Sequence, residues 1–513
     1  MINDALFSII PQPLNLTPKE GYFELNDETV IYFDYNLQKE AEYFNNLLKP
    51  ATGFNLILKE LSKKDTITNC IVLRLINNVS QIGTEGYKLS VLTSKIEIES
   101  IKPNGIFYGI QTFRQLLPPE IESSQQVSIE WKIHCVEIQD HPRFSWRGFM
   151  LDEARHFFGK DIVKKVLDVM AFLKLNVFHW HLTDDQGWRV EIKKYPRLIE
   201  IGSKRKSTRL SIKRRKSDGI PYFGYYTQED LKEIIEYAKK RHIKIIPEID
   251  LPGHTTALLA AHPELSCTGG PFEVSVQFGI FKDVLCIGKD TVFNFVEDLL
   301  REIINIFPSE IIHIGGDEVP TTRWENCENC QIRIKNESLN AESDLQVYFT
   351  EQIINYLNAL GKRSIGWNEI LSEKLDVNTI CQYWLGDFKQ VLEHLKHGRN
   401  FVMSKMDSVY LNYGYKRLPL SKTYNYEPIP DNLNKKYHKH ILGIEACLWS
   451  ELIMNSDELE YHTFPRLIAV SETGWTTKEK RDFKSFQIKV TQWLKRLHYH
   501  NINYARENEW IYL

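Results

Sequence analysis

Eight short apolar runs, each ending in polar residues and each followed by a stretch of different rhythm, constrain this chain more than any other feature of its sequence. They are RGFMLDEAR from Arg147, LNVFHWHLTDD from Leu175, IKIIPEIDLPGH from Ile243, IIHIGGDE from Ile311, RSIGWNE from Arg363, TICQYW from Thr379, NFVMSK from Asn400 and ILGIEACLWSE from Ile441. Between them lie segments of helical periodicity such as GKDIVKKVLDVMAFLK, TQEDLKEIIEYAKKRH and TVFNFVEDLLREIINIF. A strand that is apolar throughout, rather than alternately, is covered on both faces, which is the situation of a parallel sheet flanked by helices. Eight such units close into a (β/α)8 TIM barrel, an α/β fold; an open doubly wound sheet is the alternative on pattern alone. No GxGxxG or GxxxxGK[ST] follows a strand to make that sheet a nucleotide-binding one.

The rhythm before residue 140 differs. Strand-like runs start at Thr29, Thr68 and Gly86, and helical patterns at Leu37 and Phe107, so residues 1–140 read as a small N-terminal α+β domain and 141–513 as the catalytic barrel. The first domain holds no dense polar constellation, and support or docking is its expected role. A net charge of -3 over 513 residues gives no general attraction to nucleic acid or anionic lipid. No apolar stretch is long enough to span a membrane, and MINDALFSIIPQP lacks the basic segment and apolar core of a secretory signal. Eight cysteines in so long a chain favour a reducing compartment. The expectation is therefore a cytoplasmic protein, or a secreted one if the sequence is trimmed from a longer precursor. The basic segment 204–216, KRKSTRLSIKRRK, reads as a solvent-exposed loop, with a contact to an anionic glycan as the sharper alternative.

In a barrel, residues just past the C-terminal ends of the strands share one cavity. Acids recur there: Asp184 and Asp185, Glu248 and Asp250, Asp317 and Glu318, Glu369, and Glu451. In the Gly315-Gly316-Asp317-Glu318 turn, the glycines permit unusual dihedrals or close backbone approach, and two confined carboxyls can divide into one protonated and one ionised group. Trp367, Trp384 and Trp449 recur with the acids, which suits a sugar, whose apolar ring faces stack on aromatics while its hydroxyls bond carboxylates. His179, His181, His254 and His262 form no compact zinc signature, and Cys327-Glu328-Asn329-Cys330 is one CxxC without an obvious second pair. Neither a metal nor a cofactor is expected, and the two cysteines read as a loop dithiol, a disulfide or an incidental pair.

Read in order, these segments resemble glycoside hydrolase family 20, the β-N-acetylhexosaminidases. The resemblance runs through Trp146–Asp152 with Arg155-His156-Phe157, His179–Arg189, Pro247–His254, Gly315–Glu318 and Leu448–Glu451. It implies that Arg147 binds the outer sugar hydroxyls, that Asp317 orients the substrate's acetamido group, and that Glu318 is general acid and later base. It further implies that Trp367, Trp384 and Trp449 wall the acetamido group and ring, that Tyr410 bonds the acetamido oxygen, and that Glu451 reads outer hydroxyls. Asp184, Asp250 and His254 resemble a supporting network in which His254 links Asp250 to Glu318. The family often has an aspartate where this sequence has Asn412, which bears on glucosamine against galactosamine preference. The implied partner is a terminal β-linked N-acetylhexosamine of an oligosaccharide or glycoconjugate, attacked in an exo, retaining, substrate-assisted reaction. A noncatalytic glycan-binding barrel and an acid-rich deacetylase are the readings from other classes.

Overall fold

A computed structural model describes residues 7–62, 68–77, 82–211 and 216–510. The N-terminal region is a seven-stranded sheet of β1 (Asn15–Leu25), β2 (Val30–Phe33), β3 (Ile57–Glu60), β4 (Cys70–Leu75), β5 (Tyr87–Val91), β6 (Lys95–Ser100) and β7 (Trp131–Asp140). Their order is β1-β7-β5-β6-β4-β2-β3. Strands β5 and β6 alternate buried with half-buried residues. One face thus accepts the helices α1 (Gln38–Thr52) and α2 (Pro103–Leu116), which bury Phe44, Leu48, Ile106, Ile110 and Phe113.

The eight apolar runs are the eight strands of a closed parallel barrel. They are β8 (Trp146–Asp152), β9 (Val177–His181), β10 (Lys244–Glu248), β11 (Ile311–His313), β12 (Arg363–Trp367), β13 (Ile380–Tyr383), β14 (Phe401–Met403) and β15 (Ile441–Leu448). The last strand pairs with the first, Gly443 opposite Trp146 through Leu448 opposite Leu151. Every residue of β8 and β9 is buried, the two-sided burial that erases alternation from the sequence. The closed barrel preceded by a separate sheet is the expected fold, and the open sheet is set aside.

The sequence did not reveal how the two regions lock together. Lys174, just before β9, is fully buried, with its Nζ 3.2 Å from Asp140 Oδ2 at the end of β7 and 2.9 Å from Tyr87 Oη. Asp140 also accepts from Trp475 Nε1 at 2.9 Å. The helix α3 (Phe483–Tyr499), beyond the last strand, sends Arg496 back to Glu122 Oε1 (3.1 Å) and the Leu117 carbonyl (2.6 Å). Each charge is paired and hydrogen-bonded, the condition under which ions tolerate burial. The sheet region therefore braces the end of the barrel opposite the strand C-termini. No helix among the described residues is long and apolar enough to cross a membrane.

Candidate active site

Past the end of β11 the backbone turns through Gly315 and Gly316, at φ 65° and 94°. A Cβ on Gly315 would lie 1.8 Å from Asp250 Oδ1, so only glycine admits this approach. Asp250 secures the turn by accepting the Gly316 N–H at 3.0 Å. The turn delivers Asp317 and Glu318 to the mouth of the barrel. Glu318 itself takes φ 50°, as does His254. Left-handed backbone at a non-glycine residue costs ~1–3 kcal/mol and persists where surrounding structure enforces it, commonly at functional sites.

His254 joins the acids. Its Nδ1 is 3.0 Å from Asp185 Oδ2 and 3.4 Å from Asp184 Oδ1, while its Nε2 is 3.6 Å from Glu318 Oε2 and 3.8 Å from Asp317 Oδ2. Burial opposes a charge on this ring, but the Asp184 carboxylate, the hydrogen bond that the ring makes to Asp185 and the nearby Glu318 carboxylate outweigh it and hold its pKa well above the ordinary histidine range. His254 does not take the expected place between Asp250 and Glu318: the carboxylates on its Nδ1 are Asp185 and Asp184, and Asp250 is engaged by the Gly316 amide and the glycine turn.

Several carboxyls crowd this mouth and are reluctant to ionise. Burial pushes Asp317 up to about 6, His254 opposing and Glu248 and Glu318 adding to the rise. Asp250 is held well above the usual carboxylate range by burial and by Asp317, and Glu369 is pushed up to about 7 by burial and Asp317 although Trp384 Nε1 donates to it at 2.9 Å. Asp184 goes the other way: against the cost of burial, Arg155 at 2.7 Å and His254 hold it well below the ordinary range. A carboxyl that ionises in such a place is stabilised by positive charge developing in the reacting molecule.

Beside the acids stands an aromatic box. Trp384 and Tyr410 lie parallel, ring centroids 6.0 Å apart at 9°, and Trp449 closes on both Trp367 (5.6 Å) and Tyr410 (6.1 Å). Trp367 is fixed from below by donating Nε1 to Glu248 Oε1 at 2.8 Å. Glu248, one residue before the mouth, points into the barrel interior among His179 (3.1 Å) and His313 (3.0 Å). His179 reaches Glu445 as well, at 2.8 Å. Asp317 Oδ1 and Asn412 Oδ1 are buried with no hydrogen-bond partner in the described chain. Such orphaned acceptors in a cleft call for a donor from a bound molecule.

Arg147 is not in this cavity. It is the second residue of β8, at the strand's N-terminal end, and at a rise of ~3.3 Å per residue Asp152 at the other end is about 16 Å away. Its guanidinium is completely buried against Glu85 (3.0 and 3.2 Å), the carbonyls of Phe144 and Lys174, and Tyr108 Oη. The arginine that does reach the mouth is Arg155, just past the same strand. It pairs with Asp184 and Asp152, donates its Nε–H to Gln186 Oε1 at 2.9 Å, and lies 5.0 Å from the Trp449 ring centroid. Glu451 is close enough to Arg155 to feel its charge, though burial wins and raises its pKa. Arg147→Met should therefore lower thermal stability, leaving Glu85 unpaired at a cost of roughly 3 kcal/mol, with kcat/KM per folded molecule unchanged. Arg155→Ala should lower kcat/KM roughly 10- to 150-fold, the worth of a charged hydrogen bond; paired melting and kinetic measurements check both.

Other expectations were partly met. Within the basic segment, Arg205 is buried, donating to the Arg155 and Gln186 carbonyls and lying 4.1 Å over the Tyr222 ring, so that part is no solvated loop. Residues 212–215 of the segment lie outside the described residues. Cys327 and Cys330 are not an isolated pair, because Cys267 and Cys286 meet them in space. Arg155, Asp185 and Glu369 are the functional candidates whose roles went unassigned. All three follow strand ends directly, a positional signal available in the sequence.

A barrel whose mouth joins an acid pair to an aromatic box defines a sugar-cleaving hydrolase. Residues 144–478 match the family model for the glycosyl hydrolase family 20 catalytic domain, and residues 6–141 match that of its domain 2. The chain is 38% identical to a β-hexosaminidase of Porphyromonas gingivalis over 98% of its own length and 64% of the relative's. Among solved structures, the β-N-acetylhexosaminidase of Streptomyces coelicolor A3(2) superposes with a TM-score of 0.86 at 30% identity, over 98% of both chains. An exo-β-N-acetylglucosaminidase of Vibrio harveyi in complex with N-acetylglucosamine gives 0.85 at 31% identity, over 98% of this chain and 78% of that one. The chain belongs to glycosyl hydrolase family 20. It spans a little under two thirds of the length of the Porphyromonas relative.

Proposed function

We propose that this enzyme removes terminal β-linked N-acetylglucosamine, and also N-acetylgalactosamine, from the ends of glycans with retention of configuration, the substrate's own acetamido oxygen serving as nucleophile. The observation that carries the reading is the placement of Asp317. It is a buried carboxyl with an orphaned oxygen, one residue from Glu318 and beside the box of Trp367, Trp384, Tyr410 and Trp449. An acetamido group suits such a place: its methyl packs on the aromatic faces, its N–H donates to Asp317, and its carbonyl oxygen accepts from Tyr410.

In the first step Glu318 gives its proton to the glycosidic oxygen and the C1–O bond breaks while the acetamido oxygen bonds to C1 from the opposite face. The resulting oxazolinium is cationic, and ionised Asp317 faces its N–H. In the second step Glu318, now a carboxylate, takes a proton from water, whose oxygen bonds to C1 as the ring opens. Two inversions leave the β configuration unchanged, and no side chain becomes covalently attached. His254, backed by Asp184 and Asp185, positions the Glu318 carboxyl through both steps. Arg155, Glu451 and Asn412 are assigned to the outer hydroxyls, Arg155 replacing Arg147 in that role.

Proton NMR of a reaction followed from its first minutes tests the stereochemistry. The β-anomer of the free sugar should appear first and mutarotate afterwards. Initial α-product would mean that a second carboxylate activates water directly, and the reading would fail.

A further inference from the structure

Four cysteines, two from each of two neighbouring active-site loops, converge outside the machinery described above. Cys267 and Cys286 lie on the excursion that follows β10 and carries His254. Cys327 and Cys330 lie on the segment that follows β11 and carries Asp317 and Glu318. Cys327 is the N-cap residue of the helix Glu328–Asn336 and Cys330 lies in its first turn. The sulfurs are separated by 3.8 Å (Cys267 to Cys330), 3.5 Å (Cys286 to Cys327) and 3.6 Å (Cys286 to Cys330), and all four lie within 4.8 Å of one another.

Those separations decide between the ways in which cysteines associate. A disulfide holds its sulfurs about 2.05 Å apart. Four thiolates at about 2.3 Å from a tetrahedral Zn2+ lie about 3.8 Å from each other. All three distances fall near the second value, and the cysteines are unbonded. Cys286, Cys327 and Cys330 are buried and Cys267 is half-buried, leaving no open position of the kind that a catalytic metal needs. The loops are also brought into register around the cluster. Ser266 bridges Leu285, the Cys286 amide donates to the Leu265 carbonyl at 2.9 Å, Trp324 Nε1 donates to the Leu285 carbonyl at 2.9 Å, and Arg323 pairs with Asp283 at 2.7 Å.

We propose that Cys267, Cys286, Cys327 and Cys330 bind one Zn2+ as a closed structural site that staples the His254-bearing loop to the Glu318-bearing loop. On binding, the thiols lose their protons to solvent and the metal keeps its charge state, so no oxidant or reductant is involved. The sequence conceals the site because its two pairs come from different loops and only one has CxxC spacing.

The test is metal content, which does not depend on turnover. Enzyme expressed in zinc-supplemented medium and freed of loose metal by gel filtration should carry about one zinc per chain by mass spectrometry of the elements, and Cys327→Ser/Cys330→Ser should carry less than about a tenth of that. Cobalt loaded in place of zinc should give thiolate-to-metal charge transfer and the intense visible bands of a tetrahedral thiolate site. If the double variant is insoluble, wild-type enzyme unfolded in guanidinium with a thiol-blocking reagent should release one zinc as its four cluster thiols become reactive. Zinc-poor enzyme with four freely alkylated thiols, two disulfides in the native protein, stoichiometric iron instead, or equal zinc in wild type and variant would each overturn the assignment.

Discussion

Glu318→Gln should lower kcat on an N-acetylglucosaminide with a natural sugar leaving group by a factor of about 100 to 10000, the usual worth of a positioned proton donor. The amide keeps the size of the side chain and its left-handed backbone, so KM should change little and the fold should melt where the wild type does. The loss should depend on the leaving group. A nitrophenolate departs without much help from a proton, so the first step on an aryl glycoside is spared more than the same step on a disaccharide, and the variant's ratio of the two rates should exceed the wild type's. Near-normal turnover of the disaccharide by Glu318→Gln would remove this residue from its role. His254→Gln should reproduce part of the effect, because His254 Nε2 lies 3.6 Å from the Glu318 carboxyl, with the Asp317 carboxyl next at 3.8 Å. Its signature would be a displaced pH profile and not only a lower maximum.

The barrel was legible because parallel strands buried on both faces leave a record in composition that no loop can imitate, and eight of them leave little choice of closure. The same property explains the error over Arg147. A strand without alternation does not say which of its polar residues stands at which end, and the motif from Trp146 to Phe157 contains two arginines separated by the whole length of β8. Chain direction settles the matter: in a parallel barrel the later arginine, Arg155, is on the functional side. The His254 partner was misjudged for a related reason. Asp250 lies close in sequence and does lie close in space, but a Cβ-less Gly315 beneath it takes up its Oδ1 side, leaving the imidazole to acids from the neighbouring strand end. The cysteine cluster and the return of α3 to Glu122 depend on contacts across long sequence separations, for which local periodicity carries no signal.

Asp317→Asn should combine a large loss of activity with a gain in stability at neutral pH. The role assigned to Asp317 requires its charge, since a neutral amide neither compensates an oxazolinium nor accepts its N–H as well; deleting one such preorganised group costs about 100- to 1000-fold in kcat. The wild-type carboxyl is pushed up to about 6, burial being the main cause. In the free enzyme it is therefore protonated below about pH 6, and kcat/KM should fall about tenfold per pH unit on that acid side. This limb should be missing from the residual activity of Asp317→Asn. The stability effect has the opposite sense. Because the folded-state pKa lies above the ordinary aspartate value of 3.8, the folded protein binds this proton more tightly than the unfolded chain does. The group's stabilising contribution is present below about pH 4 and is lost as pH rises through about 6, so at pH 7 the ionised carboxyl is a net cost that the amide removes. Thermal melts of wild type and variant across pH 4 to 8 should draw apart between about pH 4 and pH 6 and keep a constant separation above that, with the variant the more stable. A matched β-glucoside separates this role from simple damage: lacking the acetamido group, it should be a very poor substrate for the wild type, and Asp317→Asn should lose far less against it. Equal losses on both substrates, or a variant that melts below the wild type at pH 7, would show that Asp317 does not act through the acetamido group.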